Sequence, residues 1–283
     1  MPAISILEPR DAPAYRSLAF PRHEPLLVHD LGASGTTVAA GAWNAGAPRG
    51  LALAGPTGGE VAALHAVVVS EDARRQGVAT RLLEALESTV RLRGVRRLVA
   101  SVRGNRPHSD AVSRLLARRQ FEPVRSVVEI VYPIARLLHA PALAAPCRGA
   151  AVVACTPERM APLLGLSDPS GMAPANVAPE DNDPELATLI ARDDIVAGCV
   201  LGRRITADTV YMSLLFVRPE LRRSQVAAFA VRQFLHRMIE RGFERLSCEV
   251  SVDNSACLAL ADIALGEYAE HRAVVHVVEK SLA

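Results

Sequence analysis

Apolar residues recur along the first half of the chain at two periods. Ile4 to Leu7, Thr36 to Trp43, Gly50 to Ala54, Glu60 to Val69, Arg97 to Arg103 and Val124 to Tyr132 are short apolar runs or alternations bounded by turn-forming and charged residues, the mark of strands. Between two of them, Val78, Leu82, Leu86 and Val90 fall four residues apart and so line one face of a helix, which Gly94 ends. Ser109 to Arg119 predicts another helix. Pro9, followed by Arg10, Asp11 and Ala12, opens an earlier one through Leu18, since proline is tolerated in a first helical turn. The order β-α-β-β-β-α-β-α-β predicts an α/β chain with a mixed, mostly antiparallel sheet and helices on both faces.

The pattern then repeats. Displaced by 148 residues, Ile4-Ser5-Ile6 falls on Val152-Val153-Ala154, Gly50 on Gly198, Val69 on Val217, Arg74-Arg75 on Arg222-Arg223 and Arg93-Gly94 on Arg241-Gly242. Single identities are cheap in a chain rich in Arg, Ala and Leu, but one offset held from residue 4 to residue 102 is not. Two tandem domains are expected, 1–135 and 151–283, each long enough for its own core. The join, 136–150, is where Pro141, Pro146 and several alanines interrupt the pattern. Ser167 to Pro184 carries four prolines and reads as a loop in the second copy, either a lid or an inert surface segment.

Composition narrows the function classes. Of 283 residues, 50% are hydrophobic and the net charge is +2, so the chain can bury a core, and 32 basic against 30 acidic residues do not by themselves supply the concentrated basic surface that a nucleic-acid partner requires, so none is expected. The one lysine is Lys280 and the other 31 basic residues are arginines, a compositional bias that serves phosphate recognition only where arginines cluster. Cys147, Cys155, Cys199, Cys248 and Cys257 are odd in number and form no C-x-x-C pair, which argues for reduced thiols in a cytoplasm rather than a disulfide framework or a zinc site. The N-terminus lacks the pattern of a secretory signal, and no apolar run reaches the roughly 18 residues of a membrane span.

The chemistry concentrates where the long strand meets its helix. In Arg74-Arg75-Gln76-Gly77-Val78-Ala79-Thr80 the free N–H groups of a helix N-terminus are combined with a glycine that admits a phosphate to the backbone, two arginines and a hydroxyl. Asn105 follows the next strand.

This constellation resembles the GNAT superfamily of acetyl-CoA-dependent N-acyltransferases. Their motif is a strand, then Gln or Arg, two residues, Gly, one residue, Gly or Ala, and a helix. The resemblance covers both copies, and the layout is similar to that of tandem members such as mycothiol synthase. It implies two tandem GNAT-like domains that use acetyl-CoA or another acyl-CoA as co-substrate, with no metal. The acyl group would pass to the amine of a small-molecule or amino-acid-like acceptor, in a monomer or homodimer. It places the CoA pyrophosphate on Arg74 to Thr80 and the pantetheine arm along the backbone of Val67 and Val69, with Asn105 nearby.

The catalytic positions depart from the pattern. A carboxylate often serves as base on the long strand, and Ala63 stands at that place. His65, two residues on, shares by strand period the face of Ala63, Val67 and Val69 and becomes the candidate base. His108 and Glu60 are weaker candidates. The tyrosine that protonates the thiolate is replaced by Leu116, with Ser113 one helical turn before it. In the second copy the turn reads Arg222-Arg223-Ser224-Gln225-Val226-Ala227, with Gln225 for Gly77 and Ser213 for His65. That copy is therefore expected to shape or support the site. A non-catalytic protein that holds acyl-CoA or another small ligand is the alternative.

Overall fold

The computed structural model describes residues 2–20, 23–31, 37–104, 109–164, 183–193, 195–222 and 225–282. The predicted Ser167 loop lies outside them as far as residue 182, as do Asn105, His108, Arg223 and Ser224.

In chain order the elements are β1 (Ala3–Ile6), a 3-10 segment (Pro9–Leu18), a π turn (Leu26–Asp30), β2 (Val38–Asn44), β3 (Ala47–Gly58), β4 (Val61–Val69), a 3-10 turn (Glu71–Ala73), α1 (Val78–Leu92), β5 (Arg97–Arg103), α2 (Ser109–Arg118) and β6 (Glu122–Pro133). Two one-turn helices follow, α3 (Ile134–Leu137) and α4 (Pro141–Ala144). The second series is β7 (Ala150–Val153), α5 (Pro157–Leu164), β8 (Thr188–Arg192), β9 (Ile195–Arg204), β10 (Thr209–Val217), a 3-10 turn (Pro219–Leu221), α6 (Val226–Glu240), β11 (Arg245–Ser251), α7 (Ser255–Ala259) and β12 (His271–Ser281). Pro9–Leu18 winds as a 3-10 rather than an α-helix, because Pro13 inside it lacks the N–H that an α-helical ladder needs.

The chain divides into two compact units. Unit 1 is Met1–Ser126 with Val275–Ala283, and unit 2 is Val127–Val274. The sheet of unit 1 runs β1-β2-β3-β4-β5-β12, and that of unit 2 runs β6-β11-β10-β9-β8-β7. All neighbours are antiparallel except the parallel pairs β4 with β5 and β10 with β11. Each unit thus completes its sheet with the last strand of the other copy. Val275 lies opposite Arg103 and Val127 opposite Ser251, so the two exchanged strands hold equivalent registers, again 148 residues apart.

In unit 1 the apolar face of α1, with Val78, Leu82, Leu83, Leu86 and Val90, packs on the alanine-rich face of the sheet at Ala52, Ala54, Ala62 and Leu98. Against the other face, Tyr15 and Leu27 close over Leu51, Leu53 and Ala66. Unit 2 repeats the plan: Val226, Val231, Phe234 and Leu235 of α6 cover one face, and Leu163 packs with Leu189, Leu214 and Phe216 on the other. The stretch 136–150, read as an interruption, is packed structure. Leu137, Ala140 and Leu143 are buried in the core of unit 2 beside Ile134.

Candidate functional site

The site is built on β4, and two irregularities of that strand make it. The first is a β-bulge. Ala66 lies opposite Leu53 and Leu64 opposite Ala54, which leaves His65 as the extra residue. The bulge reverses the strand's facing. Before it, Ala62 and Leu64 point to α1; after it, Val67 and Val69 do, while Ala66 and Val68 join the opposite cluster. The expected sharing of one face by His65, Val67 and Val69 is therefore wrong, because the inserted residue breaks the period of two. His65 lies on the other face, its ring centroid 5.9 Å from that of His23. A Cβ at Gly55 would stand 3.0 Å from His65 Nε2, so this glycine leaves the room in which the imidazole sits.

The second irregularity is a parting of strands. β4 pairs with β5 only from Val61 to Leu64, opposite Arg97 to Ala100. The register ends there, and Ala66 to Val69 lie past the end of the pairing with β5. The Ser70 N–H donates to Arg49 O on the β3 side at 2.9 Å, so by strand alternation Val67 and Val69 direct their N–H and C=O groups toward the gap. Arg74 Nε donates to Val69 O at 3.3 Å, which ties the turn to the end of the strand.

The turn is held from below by Asp72. Its carboxylate accepts from Ser70 Oγ at 2.7 Å and pairs with Arg49, and its C=O accepts from Gln76 Nε2 at 2.8 Å. The Ser70 hydroxyl, followed by the Arg49 guanidinium, holds the Asp72 carboxyl below its ordinary pKa. Arg75 at φ +61° and Gly77 at φ +74° are both left-handed. Alternation of this kind turns successive N–H groups to one side and forms an anion-binding nest. The N–H groups of Arg75 through Thr80 donate to no acceptor among the described residues, and the first helical bond is from Arg81 N–H to Gly77 O at 3.1 Å. A Cβ at Gly77 would meet nothing within 4 Å, so the space above the turn is open. The positive end of the α1 dipole faces the same space.

Sequence reasoning missed His23. It is buried at 7% exposure between the rings of Phe20 and His65. Nothing periodic marks it, since it precedes a π turn and meets His65 only through the bulge. Leu116, at the tyrosine position, is buried in the core, and Ser113 lines a cavity of about 260 Å³ with Arg125, Ser126 and His276. Ser126 Oγ and His276 Nδ1 are 2.9 Å apart there. Among the described residues no cluster of His, Cys, Asp or Glu could hold a metal, and no helix is long and apolar enough to cross a membrane.

Unit 2 keeps the scaffold and changes the turn. β10 carries the same bulge, at Ser213, and Arg222 Nε donates to Val217 O at 3.3 Å, as Arg74 does to Val69. Gln225, however, precedes α6 at φ −75°, in place of a left-handed glycine.

A parted parallel pair that ends in a left-handed nest at a helix N-terminus is an arrangement suited to an extended ligand with a phosphate group. The chain belongs to the acetyltransferase (GNAT) family, whose sequence profile matches residues 5–115 and 160–266. The family's reaction is acyl transfer from acyl-CoA, with acetyl-CoA in general use. Solved structures share the fold over the whole chain. A GCN5-related N-acetyltransferase from Sphaerobacter thermophilus is 17% identical with a TM-score of 0.70, covering 99% of this chain and 96% of its own. A tandem GNAT protein from the clavulanic acid biosynthesis pathway is 15% identical with a TM-score of 0.66, covering 100% and 99%. No curated protein matches.

Proposed function

We propose that unit 1 is an N-acyltransferase that moves an acetyl or other acyl group from acyl-CoA to the amine of a small-molecule or amino-acid-like acceptor. One observation carries this assignment: the open nest of Arg75 to Thr80 stands at the end of β4, past its pairing with β5. The residues present fit the co-substrate. Gly77 leaves the approach to the backbone clear. The free N–H groups of the turn would take the pyrophosphate, with Arg74 and Arg75 supplying charge. Val67 and Val69 would offer backbone N–H and C=O groups to the amides of the pantetheine arm, as a β-strand would. When bound, the thioester supplies an activated acyl carbon.

The protein's share of the chemistry is to orient the acceptor and remove its proton. An ammonium cannot attack a carbonyl, and a base with a pKa near the working pH makes the free amine available. His65 sits at the fork of β4 and β5, carried by the bulge to the face opposite α1, and it takes that proton directly or through water. His23 packs beside it and fixes the ring. Gln225 in place of the left-handed glycine argues that unit 2 does not repeat this chemistry.

The experiment follows free thiol while protein, acetyl-CoA and a panel of small amines are mixed. Amine-dependent thiol release that persists in Gln225→Gly and disappears with CoA binding in Gly77→Glu is the expected result. CoA binding without release across the panel would favour a non-catalytic ligand-binding protein. Unchanged CoA binding in Gly77→Glu would overturn the placement of the co-substrate.

A further inference from the structure

Unit 2 contains a cavity of about 90 Å³ at the place where β10 and β11 part. Its walls are mostly apolar, with Leu214, Val231, Leu246, Leu260 and Leu265 among them. Most polar groups on the wall are already committed. Ser213 Oγ donates to Leu201 O at 3.2 Å, Ser251 Oγ accepts from Asp253 N–H at 3.3 Å, and Asn254 Oδ1 accepts from Cys257 N–H at 3.1 Å to cap α7.

Tyr132 is the exception. It lines the cavity at 2% exposure, and its hydroxyl is buried with no hydrogen-bond partner. A buried hydroxyl left unpaired is costly, and such a group marks a place where something else supplies the partner. Burial also raises the phenol's pKa well above its ordinary value, so at neutral pH it is a donor.

The repeat shows that this arrangement is particular to unit 2. Tyr132 lies opposite Leu246 in the register in which Lys280 lies opposite Leu98 in unit 1. There the polar end is satisfied, since Lys280 Nζ donates to Glu87 Oε2 at 2.7 Å. The repeat partner of Glu87 is Leu235, which is fully buried and offers Tyr132 nothing.

We infer that this cavity binds a small neutral compound with a short aliphatic body and one carbonyl oxygen, which accepts a hydrogen bond from the Tyr132 hydroxyl. The size follows from the volume: an engineered apolar cavity of about 150 Å³ takes a six-carbon ring, so this one takes about four carbons. Neutrality follows from the wall, whose one charged residue among those described is Glu249, while Arg272, which acts on the Tyr132 hydroxyl from outside the wall, is paired with Asp262 at 2.7 Å. A phosphorylated ligand is disfavoured by Gln225 at the turn. The site is independent of the transferase activity assigned to unit 1.

The test uses the full chain with ¹³C-methyl-labelled methionine and isobutyramide as the probe. Met212 lines the cavity, whereas Met160 and Met238 do not. A saturable shift of the Met212 methyl is expected, weakened about fivefold in Tyr132→Phe and abolished when Leu260→Trp fills the space. Tyr132→Phe removes a hydroxyl that has no partner, so it is expected to fold at least as stably as the parent. No Met212 shift, or equal affinity in Tyr132→Phe, would overturn the proposal. So would a Met212 shift produced by acetyl-CoA in the Gly77→Glu background, since it would give the cavity to the thioester's arm.

Discussion

Glu87 is the carboxylate on which unit 1 has most to lose. It sits on α1, with 9% of its side chain exposed, and its Oε2 accepts from Lys280 Nζ at 2.7 Å and from Arg119 Nη2 at 2.6 Å. Lys280 belongs to the exchanged strand β12, so this carboxylate fastens that strand to the helix that carries the phosphate turn. At these distances each pair attracts by about 6 kcal/mol with an effective dielectric constant near 20. Most of that offsets the several kcal/mol needed to desolvate each ion. Removing the shared carboxylate leaves the desolvation without the attraction. Glu87→Ala is therefore expected to lose about 3–5 kcal/mol. Lys280→Met should cost less, about 1–3 kcal/mol, because Arg119 continues to satisfy Glu87. Unit 2 suggests the compensating change, since Leu235 fills the repeat position of Glu87 without charge. The double variant Glu87→Leu with Lys280→Met should recover most of the loss, leaving Arg119 to Glu84 at 2.9 Å. Urea unfolding followed by circular dichroism measures the stabilities. Hydrogen exchange of the 275–281 amides reports whether β12 loosens first. A loss below about 1 kcal/mol in Glu87→Ala, or a double variant no better than Glu87→Ala, would show that the buried carboxylate does not hold β12 to α1.

His65→Gln should lower the amine-dependent turnover by about 10²–10⁴-fold while leaving the Kd for acetyl-CoA unchanged, measured by thiol release and calorimetry; equal turnover would remove His65 from the mechanism. Burial pushes the Cys199 and Cys248 thiols up to about 12, so at pH 8 about one in 10⁴ is thiolate. Alkylation of the native protein should then mark Cys147 and Cys257 and spare these two until denaturant is added, as peptide mapping would show. Because the folded Asp72 pKa is depressed, its pairing adds stability above the unfolded value of about 3.9 and loses it as pH falls below that. Asp72→Asn should accordingly flatten the acid limb of stability and weaken CoA binding by loosening the turn, and an unchanged acid limb would show that the clamp carries no weight.

What could be read from the chain and what could not divide along physical lines. The helix carrying Val78, Leu82, Leu86 and Val90 announces itself because burial on one face imposes its own spacing, and the strand spans Arg97–Arg103 in sequence pattern and structure alike. The bulge at His65 left no trace, since Val61–Val69 is an almost uninterrupted run of Val, Ala and Leu, and either facing of such a run buries apolar groups. One inserted residue then decides whether an imidazole points toward α1 or toward His23. The prolines at 141 and 146 suggested a break, but prolines end helices without excluding a core, and Leu137, Ala140 and Leu143 show the result.

The strand exchange is equally hidden, because β6 and β12 both intersperse apolar with polar residues and sit in equivalent registers against their partners. Alternation specifies that such a strand will be paired, not with which sheet. Specificity has to come from residues that differ between the copies, and the pairs at this register differ in charge: Lys280 with Glu87 in unit 1, Tyr132 with Leu235 in unit 2. Placing β6 in unit 1 would bring a phenol to Glu87 and strip that buried carboxylate of a cation. Placing β12 in unit 2 would bury a lysine beside Leu235 with no acid at the matching position. Each misplacement costs a buried charge, so the same ion pair that fastens β12 also selects the sheet it joins.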